Sequence, residues 1–158
     1  MKLHKEIKSF GPEQVHRLLE AAKGHPQEAL FILALATGMR RGEVLALKWQ
    51  DINFEQGMLQ VRRIFTRAPG NRYIEAEPKT EKSRRSIMLA SFTVEALRRH
   101  RVKQLETKLQ MGTAWQEHDL VFCTSLGTPL NPNRALELFK RPRDAQRDGG
   151  SRRNSSVG

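Results

Sequence analysis

Apolar side chains in the first fifty residues recur at the spacing of an α-helix. Before Gly24 they follow the pattern i, i+3, i+4 and i+7, which predicts a first helix ending at that glycine. These apolar residues are Val15, Leu18, Leu19 and Ala22. Pro26 suits the first turn of a second helix, and residues 29–36 are apolar nearly all round, so this helix should be buried. Gly38 breaks it, and a short third helix is predicted over about residues 41–48.

After residue 56 the period changes to the alternation of β-strands. Three segments show it, at residues 57–61, 71–74 and 84–89. In the third segment Ile87 and Leu89 are predicted to face the core and Arg85 to point outward. A polar turn at residues 78–83 joins the last two strands. The pattern therefore predicts a small three-stranded antiparallel sheet.

The second half of the chain returns to the helical period. A long helix is predicted over about residues 91–109, with His100 and Arg101 outside its apolar stripe or at the edge. That stripe consists of Val94, Leu97, Leu105 and Leu109. Residues 120–122 form a short extended segment, and Pro132 after an asparagine is typical of a helix start. The predicted fold class is α+β, mainly α-helical with the small three-stranded antiparallel sheet.

Composition divides the chain into three parts. Residues 1–9 are a polar lead-in, and residues 10–140 carry the periodic patterns of one domain. In residues 141–158 only Ala145 and Val157 are apolar. Such a segment buries too little to order itself, so a disordered basic tail is predicted there.

The chain is strongly basic, with 28 Lys and Arg against 17 Asp and Glu and a net charge of +11. Between Arg62 and Arg101, eleven basic side chains accompany four acidic ones. A polyanionic partner is predicted, and double-stranded DNA is favoured over a membrane, since no basic amphipathic helix with an aromatic-rich face is apparent. A basic surface that only aids solubility is the alternative.

Cysteine and histidine usage points away from metal and redox chemistry. Cys123 is the only cysteine, and the five histidines lack ligand spacing, so no disulfide, metal site or cofactor is predicted. No apolar stretch is long enough for a signal peptide or a membrane span. We therefore expect a cytoplasmic, DNA-associated protein without a membrane partner or a small-molecule substrate.

The segment that carries most chemistry runs from Ala36 to Glu43 and reads Ala-Thr-Gly-Met-Arg-Arg-Gly-Glu. A buried helix ends in a glycine turn that exposes Arg40, and Glu43 is close enough in sequence to hold its guanidinium. An arginine fork grips two non-bridging phosphate oxygens at once and stays charged at physiological pH. A solvated helix cap is the simpler interpretation of an arginine pair at this position.

Together with the continuation Leu-x-Leu-x-Trp-x-Asp-Ile over residues 45–52, this block resembles the first active-site segment of the tyrosine recombinases, the phage integrase family. The resemblance implies that Arg40 is catalytic and Glu43 supports it. In that family a lysine on a β-hairpin turn protonates the leaving 5′ oxygen, and Lys79 before Thr80 matches it. Lys82 is the alternative if the turn is registered differently.

Further basic residues are candidates for phosphate contacts, which set affinity and salt dependence without reading sequence. The candidate DNA-binding residues are Arg41, Lys82, Arg84 and Arg85. The single tyrosine, Tyr73, precedes Lys79, whereas the family's nucleophile follows the second arginine far downstream. Tyr73 is therefore predicted to be a packing residue.

The sequence departs from the family beyond Lys140, where the His-x-x-Arg-His segment and the nucleophilic tyrosine are expected and not found. We therefore expect a truncated site-specific recombinase that binds DNA weakly and does not cleave it alone. Two alternatives remain open. One is a non-catalytic interaction protein that occupies recombination sites or pairs with intact integrase subunits, and the other is a remnant of a mobile element.

Overall fold

A computed structural model describes residues 11–70, 72–78, 80 and 83–132 of the chain. The described helices are α1 (Pro12–Ala22), α2 (Glu28–Thr37), α3 (Arg41–Leu45) and α4 (Ser91–Met111). The strands are β1 (Ile52–Asn53), β2 (Met58–Val61), β3 (Ile64–Ala68), β4 (Arg72–Ala76) and β5 (Arg85–Met88). The lead-in at residues 1–9, the last predicted helix after Pro132 and the tail lie outside the described residues, as do Lys79 and Lys82.

Helix α2 is the central helix that its apolar sequence predicted, with Leu33 and Ala34 fully buried. It begins at Glu28, two residues later than predicted, because residues 25–27 form a turn in which the Gln27 N–H donates to His25 Nδ1 at 3.0 Å. Gly38 ends the helix in the left-handed conformation, at φ 67°, and its N–H donates to the Ala34 carbonyl.

Helix α3 is shorter than predicted. It ends at Leu45, and the chain then turns so that Lys48 pairs with Leu120 in an isolated β-bridge. A 3-10 turn follows at Trp49–Asp51. Residues 44–47 nevertheless lie in the core.

The three-stranded antiparallel sheet is present, but one of its predicted members is different, since β1 takes the place of the predicted strand at residues 71–74. Its order is β1-β2-β5, with Leu59 opposite Ile87 and Val61 opposite Arg85. Strand β4, which was predicted to belong to this sheet, pairs instead with β3 in a separate two-stranded ribbon. The turn at residues 78–83 therefore connects the ribbon to the sheet and does not close a hairpin between β4 and β5.

Helix α4 packs on the core through a face that includes Leu97 of the predicted stripe and excludes the later part of that stripe. Its buried residues are Thr93, Ala96 and Leu97, and α4 packs against α2. Leu105 and Leu109, predicted to face inward, are 50% and 83% exposed, and Val102 is 56% exposed. These three residues lie on one side of the helix at i, i+3 and i+7. We call them the outer stripe of α4.

His100 lies inward and not at the edge of α4. Its ring packs 5.1 Å from the Phe122 ring, between centroids, and Nε2 lies 2.6 Å from the Val121 carbonyl oxygen. Gln104, one turn further on, donates to the same oxygen and accepts a hydrogen bond from Trp49 Nε1. These polar contacts hold the extended segment 120–122, whose three side chains are buried. No helix in the described part of the chain is long and apolar enough to cross a bilayer.

Candidate nucleic-acid interface

The turn between α2 and α3 presents Arg40 to solvent. Gly38 reverses the chain, and Met39 then buries its side chain completely, which anchors the turn in the core. Arg40 is extended, with φ −70° and ψ 151°, and its side chain is exposed. Its guanidinium forms no ion pair with any residue in the described ranges. Arg40 is thus a charged fork on a fixed backbone, open to an external anion.

Glu43 holds the backbone of Arg40 in place through a hydrogen bond. The Glu43 residue is only 3% exposed, and its Oε1 accepts a hydrogen bond from the Arg40 backbone N–H at 2.9 Å. Both carboxylate oxygens also accept hydrogen bonds from Arg85, at 3.0 and 3.2 Å. The sequence predicted that Glu43 would hold the Arg40 guanidinium. In the structure its ion-pair partner is Arg85, and it contacts Arg40 through the main chain.

Arg85 lies on the inner side of strand β5, so the prediction that it points outward was wrong. Successive residues of a strand face opposite sides, and Arg85 shares the partly buried side with Ile87. Its side chain is only 36% exposed, because the guanidinium reaches across to the buried Glu43. A buried acid requires a counter-charge, but nothing in the local sequence of Glu43 indicates that it comes from 42 residues downstream.

Gly42 allows α3 to approach strand β3 closely. A Cβ atom at this position would lie 2.8 Å from both Ile64 Cγ1 and the Phe65 carbonyl oxygen. No side chain fits at that distance without a shift of the β3 backbone. The local sequence gives no sign of this role for Gly42, because it depends on a contact with a strand more than twenty residues away.

A basic cleft of about 770 Å³ lies between the sheet and the β3–β4 ribbon. Four arginines and two acids line it, namely Arg62, Arg63, Arg84, Arg85, Glu75 and Glu77. Arg63 is paired with the buried Asp51, and Arg84 with the exposed Glu77. Arg62 is held by the amide oxygen of Gln60, which leaves its charge uncompensated by an acid in the described residues. The cleft is thus basic at its rim, and Arg85 connects it to the Arg40 turn.

The remaining candidates fall in two groups. Arg41, the first residue of α3, is partly exposed and forms no ion pair within the described part of the chain. Lys79 and Lys82 lie outside the described residues, and so does the Tyr73 side chain. Their described neighbours Thr80 and Ser83 share a hydrogen bond between hydroxyl oxygens at 2.9 Å. The catalytic assignment of Lys79, and the alternative of Lys82, stay predictions.

Comparison with known proteins identifies the class of protein. Residues 8–152 match the phage integrase family, and since this match spans most of the chain, the chain belongs to that family. It is 38% identical over 151 residues to the tyrosine recombinase XerC-like protein of Caldanaerobacter subterraneus subsp. tengcongensis, covering 89% of this chain and 39% of the relative. The integrase of Streptomyces ambofaciens is 33% identical over 135 residues, covering 80% and 33%.

The fold is shared with solved recombinase structures. The integrase of the Tn1549 transposon, in complex with circular intermediate DNA, superposes with a TM-score of 0.70 at 20% identity, over 89% of this chain and 46% of that one. XerA recombinase superposes with a TM-score of 0.61 at 21% identity, over 84% and 40%. The predicted family and fold class are therefore confirmed. The chain spans less than half the length of these relatives and structures.

Proposed function

We propose that this chain binds duplex DNA through its phosphates, as part of the catalytic region of a tyrosine-type site-specific recombinase. The observation that carries the proposal is the Arg40 turn. Arg40 is exposed without an acidic partner in the described residues, on a backbone held by a buried glutamate. The family match and the DNA complexes of the fold relatives support the same assignment.

In this proposal each candidate residue has a distinct task. The Arg40 guanidinium grips two non-bridging oxygens of one phosphate, and the fixed turn limits the reorganisation needed on binding. Arg41 and Arg84 contact flanking phosphates, as does Lys82. Lys79 is the general acid for the leaving 5′ oxygen, with Lys82 as the alternative. Glu43 supports Arg40 by accepting its N–H.

We further propose that the 158 residues bind DNA without cleaving it on their own. Cleavage in this family requires a tyrosine nucleophile, and the single tyrosine of the sequence, Tyr73, lies ahead of Lys79 and not after a second arginine. To test this, the chain is incubated with a nicked duplex that traps covalent protein–DNA intermediates, and the products are separated on a denaturing gel. No adduct is expected, and a protein–DNA band that survives denaturation would contradict the proposal.

Fluorescence anisotropy with a labelled duplex tests the binding proposal. The logarithm of the binding constant should fall linearly with the logarithm of the salt concentration, with a slope of about −0.9 per phosphate contacted. Arg40→Ala should weaken binding about tenfold or more at low salt, because it removes charge-assisted hydrogen bonds. It should also reduce the magnitude of the slope by about one.

The matched control is Arg17→Ala, which removes an exposed arginine from helix α1, remote in sequence from the proposed site. It should leave both affinity and slope nearly unchanged. Equal losses in the two variants would mean that Arg40 contributes only to a diffuse positive field, and the specific phosphate site would be wrong. Association with other integrase subunits on DNA is a separate prediction, tested by the stoichiometry of the complex in sedimentation.

A further inference from the structure

We propose that Arg85 is a positioning residue for Arg40, acting through Glu43, and not a direct DNA contact. This inference rests on the proposed function of Arg40. Three elements meet in the arrangement, because Arg85 comes from β5, Glu43 from α3 and Arg40 from the turn before α3. The carboxylate of Glu43 lies between the Arg85 guanidinium and the Arg40 backbone N–H.

The buried carboxylate is the reason that Arg85 is needed. An ionised acid that is 3% exposed has lost most of its water and is costly unless it is paired and hydrogen-bonded. Arg85 supplies two parallel N–H donors, which match the two carboxylate oxygens. Without this fork, the buried charge of Glu43 is left unpaired, and the carboxylate turns towards water. This movement weakens its hydrogen bond to the Arg40 N–H and loosens the turn.

The geometry of Arg85 argues against a direct role on phosphate. Both of its terminal nitrogens are engaged by Glu43, and Nη1 also donates to the Ser83 carbonyl oxygen at 3.0 Å. The pair carries no net charge, so it attracts a phosphate only weakly. The adjacent Arg84 offers the contrast, since its side chain is 51% exposed and its partner Glu77 is 81% exposed. Arg84 can exchange its surface partner for phosphate, and Arg85 cannot do so without stranding a buried acid.

A double-mutant cycle on DNA binding separates the two roles. Arg85→Gln should weaken binding about as much as Arg40→Ala, and the double variant should bind no more weakly than either single one. The salt slope should drop by about one in all three variants. For the control Arg84→Gln, the loss should add to that of Arg40→Ala, and the slope should drop by about two in the combination. If the salt slope of the double variant Arg40→Ala/Arg85→Gln dropped by about two, the proposal would be overturned.

Rescue by a second substitution gives a sharper test. In the background of Arg85→Gln, the change Glu43→Gln removes the stranded charge and keeps an amide oxygen for the Arg40 N–H. This pair of substitutions should restore DNA binding to within about threefold of the unmodified chain, because neutral buried pairs can replace ionic ones at little cost. If Arg85 touches phosphate itself, Glu43→Gln restores nothing, and the proposal fails.

Hydrogen exchange at the Arg40 amide provides a readout that does not involve DNA. Arg85→Gln should accelerate exchange at this one N–H by tenfold or more, and Glu43→Gln should reverse the effect, while amides of α2 remain protected.

Arg85→Lys, which keeps the charge and loses the fork, covers the case in which Arg85→Gln does not fold. Unchanged exchange in the folded variant refutes the positioning role. Accelerated exchange without any effect of Arg40→Ala on DNA refutes the proposed function and leaves the positioning role standing.

Discussion

Gly42 is where helix α3 comes closest to strand β3, and its missing side chain makes that approach possible. Gly42→Ala should destabilise the fold by about 1–3 kcal/mol, because the new methyl group would collide with a backbone oxygen of β3 as well as with Ile64. Urea unfolding followed by circular dichroism measures the change. The control is Gly11→Ser, at a position where nothing lies within 4 Å of an added Cβ and where serine is a favoured helix cap. Equal stability of the two variants would show that β3 yields easily at this contact.

His100 gives the fold a pH dependence of its own. Burial lowers the pKa of His100 from 6.5, the Val121 carbonyl opposes this, and the nearby Lys103 adds to it. The unfolded chain therefore binds the proton more tightly, so the free energy of unfolding should fall as the pH drops below about 6.5. The loss should be at most about 1.4 kcal/mol per pH unit. It should stop once the pH is below the folded pKa.

Unfolding curves at pH values between about 7 and 5 measure this effect. Glu20 and Glu117 titrate below this range, because Lys23 lowers the pKa of Glu20 from 4.5 and Lys108 lowers that of Glu117. His100→Gln, whose amide can still donate to the Val121 carbonyl, should flatten the curve. The exposed His16 is the control, and His16→Gln should leave the curve unchanged. A curve for His100→Gln that is as steep as the original would assign the pH dependence to another group.

At the scale of single residues, the sequence was a good guide wherever a role depends on near neighbours. The exposure of Arg40 follows from a buried helix and a glycine turn immediately before it, and both are visible in the sequence. The partner of Glu43 was predicted wrongly, because Arg40 is close in sequence while Arg85 is close only after β5 pairs with β2. A charged residue on an alternating strand looks like a surface residue until the buried acid opposite it is known.

At the scale of elements, helix α4 shows two apolar faces where the periodicity suggested one. Its inner face, with Leu97, packs on the core, whereas the outer stripe of Val102, Leu105 and Leu109 lies in solvent. Period alone identifies apolar spacing, and it does not say which of two stripes meets the core. The same limit applies to the strands, since alternation located β2, β4 and β5 but carried no information on which strands pair.

The outer stripe yields a prediction about stability. Leu105→Gln and Leu109→Gln should each change the free energy of unfolding by less than about 0.5 kcal/mol, since these side chains are exposed and glutamine is as good a helix former as leucine. Leu97→Ala, on the inner face, should cost about 2–5 kcal/mol. Urea titration compares the three. A cost above about 1 kcal/mol for Leu105→Gln would mean that the stripe is covered in solution.

For the whole molecule the dominant quantity is its net charge of +11. Self-repulsion of this charge opposes the compact state, and salt screens it, with a Debye length of about 10 Å at 0.1 M and about 3 Å at 1 M. Raising sodium chloride from about 0.05 to 0.5 M should therefore raise the melting temperature while it weakens DNA binding. Differential scanning fluorimetry and anisotropy on the same sample measure the opposite trends. A melting temperature that falls with salt would mean that ion pairs such as Lys48–Glu75 outweigh the repulsion.

The rate at which a thiol reagent modifies Cys123 depends on how tightly residues 120–130 are packed. It is the only thiol in the chain, Gln104 donates to its sulfur at 3.4 Å, and burial, aided by the charge of Glu117, raises its pKa to about 11. Because the thiolate is the species that reacts, a maleimide or disulfide reagent should modify the folded chain far more slowly than the unfolded one. The ratio of the two rates then sets a lower limit on the free energy of opening this segment, because the partly buried thiol also reacts without opening.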